Sequence, residues 1–85
     1  MNPQELLPIF EEIIDYMIED ENDSSVLTYL HMWFSGEDAT QAWNLTKKHM
    51  YDIIDNRNSE FTHIKQVGLE ALKLVVRDLK EGIKQ

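Results

Sequence analysis

Apolar residues recur along this chain three and four positions apart, in four stretches parted by short polar breaks, and nowhere do they alternate with polar ones. Side chains at that spacing share one face of an α-helix, whereas a half-buried strand needs a period of two. The pattern predicts an all-α fold: a small antiparallel four-helix bundle with helices over residues 5–20, 24–34, 39–55 and 60–83. Connections of about two to six residues make successive helices neighbours. An 85-residue chain has material for one small core, so residues 1–85 are expected to form a single helical domain.

Local signals place the helix ends and faces. Asn2 and Glu5 frame a capping box around Pro3. Pro8 lacks an N–H and clashes with a preceding carbonyl, so the first helix either begins near Leu6 or kinks at Pro8. Its central line is Leu6, Phe10, Ile13 and Met17, with Leu7, Ile9, Ile14 and Ile18 alongside; this arc, about 200° wide, suits contact with more than one neighbour. Asp23 or Ser24 is placed to cap the second helix. Its apolar side is Val26, Leu27, Tyr29, Leu30, Trp33 and Phe34, and Gly36 supplies a left-handed residue to end it. Asp38 with Gln41 reads as a capping box for the third, whose inner face is Ala39, Ala42, Trp43, Thr46, Met50, Ile53 and Ile54. Asn58 or Ser59 caps the fourth, along which Phe61, Ile64, Gly68, Ala71, Leu72, Val75, Val76, Leu79 and Ile83 keep phase. Gly costs about 1 kcal/mol relative to Ala in a helix interior, so Gly68 on the buried line predicts a close helix crossing. Met32, Leu45, Tyr51, Val67 and Leu74 fall out of phase.

Charge is distributed unevenly. Residues 1–46 hold ten acids and no Lys or Arg, a net of −10; residues 47–85 hold eight bases and six acids, a net of +2. Such asymmetry bears on partners rather than on fold. The acidic half repels nucleic acid and anionic membranes and attracts a basic protein. Glu11, Asp15 and Glu19 stack four apart on the first helix with no Lys or Arg one turn away, and like charges so placed repel. On the fourth helix Lys73, Arg77, Lys80 and Lys84 form a stripe expected to face the acidic helix of the same or a neighbouring chain, or water near a helix C-terminus, since four charges on a chain of net −8 make a poor phosphate-binding surface.

Chemistry-bearing patterns are sparse. There is no Cys, which excludes a disulfide scaffold, a thiolate metal site and a Cys nucleophile. Glu60 and His63 have the Glu-x-x-His spacing of di-iron bundles, but lack the second pair and the two further glutamates. His49 and Asp52 lack a third ligand in phase, and His31 stands alone. The segment from Asp20 to Ser24 starts like a calcium loop, yet Ser25 and His31 stand where Gly and Glu are required. Ser24, Ser25 and Ser35 sit at caps and turns, and no Gly-rich phosphate loop occurs. Residues 24–55 have the outline of a helix-turn-helix, but its recognition end carries Glu37 and Asp38, of the wrong sign for phosphate. No enzyme, cofactor or metal is expected.

No apolar run approaches the roughly 18 residues of a membrane span, and no basic segment precedes an apolar one at the N-terminus, so a cytoplasmic protein is the expectation. These readings converge on an acidic binding protein of the inhibitor or immunity-protein type, docking onto a basic, nucleic-acid-binding partner such as a nuclease. Its expected surface is Glu11, Glu12, Asp15, Glu19, Asp20, Asp23, Glu37 and Asp38. The alternative is a homo-oligomer, a dimer in the simplest case, closed by the out-of-phase hydrophobes. A helix-turn-helix DNA-binding regulator ranks last.

Overall fold

The computed structural model describes residues 1–56 and 64–84. Helix makes up 87% of the described residues and strand none, so the all-α bundle expected from the apolar spacing is the fold. The helices are α1 (Pro3–Glu19), α2 (Val26–Trp33), α3 (Gly36–Asn56) and α4 (Ile64–Lys84). α4 is the hub. α1 and α3 each lie along it, while among the described residues their own Cα atoms nowhere come within 8 Å of one another; short α2 touches all three.

α1 opens where its capping box puts it. The Glu5 amide donates to Asn2 Oδ1 at 3.0 Å and the Asn2 amide to Glu5 Oε2 at 3.4 Å, with Pro3 in the first turn. The helix therefore starts before Leu6 and runs through Pro8, whose ring lies on the exposed side. Leu6, Phe10, Ile13 and Met17 are buried as expected, and Leu7, Ile9 and Ile14 pack against them. Ile18 is a correction: it is 60% exposed, at the margin of the arc on the rim of a recess shared with Lys65 and Leu69.

The other ends shift from their expected places. α2 begins only at Val26, after Ser25, which makes no side-chain cap; neither Asp23 nor Ser24 caps it. The preceding turn is tied instead by Tyr29 and Lys65, described below. α2 ends on extended Phe34 rather than at Gly36. Gly36 does take the left-handed conformation, φ 57°, but uses it to swing the chain into α3. Because α3 starts there, Asp38 already lies in its first turn and forms no capping box; Gln41 instead bonds both the amino group and the carbonyl of Met1. Glu37 and Asp38 still favour that turn through the helix dipole. The proposed caps Asn58 and Ser59, with Arg57, Glu60, Phe61, Thr62 and His63, lie outside the described residues.

The core joins the α1 line to Val26, Tyr29 and Leu30 of α2 and its C-cap Phe34, to Ala39, Ala42 and Met50 of α3, and to Val67, Ala71, Leu72, Val75, Val76 and Leu79 of α4. Thr46, the buried polar side chain in it, donates to the Ala42 carbonyl at 2.8 Å. Val67 corrects the phase read from sequence. With α1 on one side and α3 on the other, α4 buries an arc of about 180°, and Val67 lines up with Ala71 and Val75 on its second edge. Leu27, Ile54 and Ile64, expected inside, are 38%, 43% and 51% exposed at the ends and margins of their stripes. Gly68 is the expected crossing point: a methyl group there would stand 2.6 Å from Val26 Cβ.

Candidate functional site

Packing against α4 sorts the acidic residues of α1 into two edges. Along the edge that meets α4, Glu11 Oε2 lies 3.8 Å from Lys80 Nζ, and Glu11, Ile14 and Asp15 line a recess with Lys73 and Val76. Lys73 and Lys80 of the basic stripe thus lie beside the acidic helix of their own chain, one of the places expected for them. Arg77 turns toward the neighbouring Asp78 at 3.4 Å, and the Lys84 side chain lies outside what is described. On the edge turned away from α4 stand Glu12 and Glu19, both exposed and without an ion-pair partner among the described residues.

The remaining acids are scattered over the α1–α2 and α2–α3 junctions. Asp20 is half-buried: its Oδ2 accepts from the Tyr29 hydroxyl at 2.7 Å and its Oδ1 from Asn22. The hydrogen bond from Tyr29 is the main reason its carboxyl sits below the usual carboxylate range, against the opposing pull of desolvation. Burial, reinforced by the bond and charge of Asp20, pushes the Tyr29 hydroxyl up to about 12. Lys65 of α4 donates to the carbonyls of Asp20 and of Asn22, the latter at 2.9 Å, with its ammonium 5.9 Å from the Tyr29 ring centre. An ammonium therefore holds the turn that begins like a calcium loop. Asp23 borders the recess beside Lys65, Glu37 is exposed, and Asp38 lies 3.8 Å from the Met1 amino group. The eight residues fall on α1, on the α1–α2 turn and in the first turn of α3.

Sequence reasoning missed Tyr16. It stands between Glu12 and Glu19 on the outer edge of α1, one turn from each, and is 41% exposed. Its ring meets those of Trp33 at 5.2 Å and Tyr29 at 6.0 Å, both edge-on. An aromatic in phase with carboxylates was the available signal. Met32, Leu45 and Tyr51 are exposed as their phase indicated, Leu74 is half-buried, and Val67 is in the core. The set invoked for self-association is thus dispersed over three helices and loses one member.

His49 finds its partner on another helix. Its Nε2 lies 2.7 Å from Asp78 Oδ2, a bond joining α3 to α4. Burial works against the charge on Asp78, but its bonds with His49 and Arg77 prevail and hold the carboxyl below its ordinary value. His31 is exposed. Among the described residues no three His, Asp or Glu side chains are grouped to hold a metal ion, and no helix is long and apolar enough to cross a membrane. No protein-family model, curated protein or solved structure matches this chain.

Proposed function

We propose that this chain is a small acidic binding protein that docks on a basic protein partner and occludes the partner's phosphate-binding surface, with the cytoplasm as its setting. One observation carries the reading: ten carboxylates and no Lys or Arg in residues 1–46, with Glu12, Glu19, Asp23 and Glu37 among those exposed. A surface of one sign steers an oppositely charged partner into encounter and accelerates association, more so at low salt. A nucleic-acid-binding enzyme, a nuclease above all, owns the kind of basic surface that would answer it, and covering that surface would inhibit the enzyme.

The test has two steps. Proteins of the native host retained on the immobilised chain at low salt and released at high salt are identified, and the retained partner is purified and titrated with nucleic acid, with and without the chain. The expected partner is basic and gives up its nucleic acid as the chain is added. A partner that carries nucleic acid and this chain together would refute occlusion, and salt-insensitive retention would refute electrostatic docking.

A further inference from the structure

We infer that the outer edge of α1, Glu12–Tyr16–Glu19 backed by Trp33, is where an arginine-bearing segment of that basic partner docks; the inference rests on the reading above and narrows it to one edge. Tyr16 is held on its inner side by two aromatic rings, 5.2 and 6.0 Å away, yet keeps 41% of its surface in water. It is a pre-positioned aromatic ring with little freedom left to lose on binding. Glu12 and Glu19 flank it about 6 and 4.5 Å away along the axis, at 1.5 Å per residue.

Charge complementarity selects the occupant. The opposite edge of α1 has cations from its own chain in Lys80 and Lys73. Lys65 is committed to two backbone carbonyls. Neither Glu12 nor Glu19 has an ion-pair partner among the described residues, and no Lys or Arg occurs before Lys47. A planar guanidinium stacks on an aromatic face and pairs with a carboxylate in bidentate fashion, which an ammonium cannot do. Carboxylates about 10 Å apart with a ring between them fit arginines seven apart on a helix, or three apart in a polyproline-II segment, whose three-residue turn returns both side chains to one face.

The probes are two labelled nine-residue peptides, one of arginine and one of lysine, titrated at low salt by fluorescence anisotropy and by amide chemical shifts. Expected are tighter binding of the arginine peptide, shifts centred on Glu12, Tyr16, Glu19 and Trp33, and a loss of about five-fold or more in affinity for Tyr16→Leu and for Glu12→Gln with Glu19→Gln. Tyr16→Phe, which keeps the ring and its packing, retains binding. Glu11→Gln with Asp15→Asn, on the compensated edge, changes affinity less than two-fold. Equal losses from both acid pairs with no effect of Tyr16→Leu would overturn the docking edge while leaving a basic partner in place. Failure of the wild-type chain to bind either peptide would overturn both readings.

Discussion

Replacing Gly68 by Ala tests how closely α4 and α2 cross. On an open helix face the change would stabilise by about 1 kcal/mol through helix propensity. Here the new methyl would lie 2.6 Å from Val26 Cβ and 3.2 and 3.4 Å from its two γ-carbons. Carbon atoms rest about 3.5–4.0 Å apart, so the first contact must lengthen by roughly 1 Å. Rotation about χ1 of Val26 moves its γ-carbons but not Cβ, so relief requires moving one backbone off the other. Such overpacking costs about 1–3 kcal/mol, and the net expectation for Gly68→Ala is destabilisation by up to about 2 kcal/mol. Each kcal/mol lowers the melting midpoint of a domain this size by about 4–8 °C, readily read by circular dichroism. The background decides the cause. Val26→Ala leaves the Cβ in place, so most of the Gly68→Ala penalty persists there. Val26→Gly removes the obstacle at the first position of α2, and in that background Gly68→Ala turns stabilising by about 1 kcal/mol. Stabilisation by Gly68→Ala in the otherwise wild-type chain would refute the crossing.

Three further perturbations follow from the same structure. Pro8→Ala restores the backbone bond to the Gln4 carbonyl on an exposed face of α1 and is expected to stabilise by about 1–3 kcal/mol; a loss of urea stability would mean that the ring is needed where it lies. Thr46→Val conserves volume, and the Ala42 carbonyl it releases is also the acceptor of a helical amide, so the unfolding midpoint should move by less than about 1 kcal/mol; a larger loss would make the hydroxyl a structural necessity. Tyr29→Phe tests pH dependence. The raised Tyr29 pKa contributes stability that is full below about pH 10 and lost as pH rises toward 12, while the lowered Asp20 pKa contributes stability present above about pH 4 and lost in acid. Urea midpoints from pH 2 to 11 should therefore fall less steeply at both extremes in the variant, and unchanged slopes would show that the Tyr29–Asp20 bond is not what links stability to pH.

What the sequence disclosed and what it withheld divide along one physical line. The central stripes of α1 and α4 and the Asn2–Glu5 box are local properties, fixed by spacing within one helix, and the structure has them where the spacing puts them. Val67 falls out of phase by local spacing, because its burial depends on α3 lying on the second side of α4, a non-local fact. The start of α2 moved for a similar reason: residues 20–25 contain good N-cap types, but Lys65, more than forty positions away, binds the carbonyls of Asp20 and Asn22, and Tyr29 reaches back to the same turn. The left-handed conformation of Gly36 is legible in its residue type, but its place at the start of α3 is not, since a positive φ bends the chain without specifying which helix it belongs to.

The acidic surface shows the same division with more at stake. A run of carboxylates four apart with no local cation reads as an unanswered charge, and the count in residues 1–46 is correct as it stands. Helix packing then answers part of it from outside the helix, with Lys80 at Glu11 and Lys73 beside Asp15. Reversing Glu11 would set a Lys opposite Lys80, so a charge-reversal test that includes Glu11 perturbs the α1–α4 seam along with any docking surface. Glu12 and Glu19 carry no such entanglement, and their substitution reports on the exterior alone. Between them stands Tyr16, one turn from each. Tyr16 is held by Trp33 and Tyr29 yet left in water, and the proposed docking edge takes it as the fixed point of an otherwise diffuse negative potential.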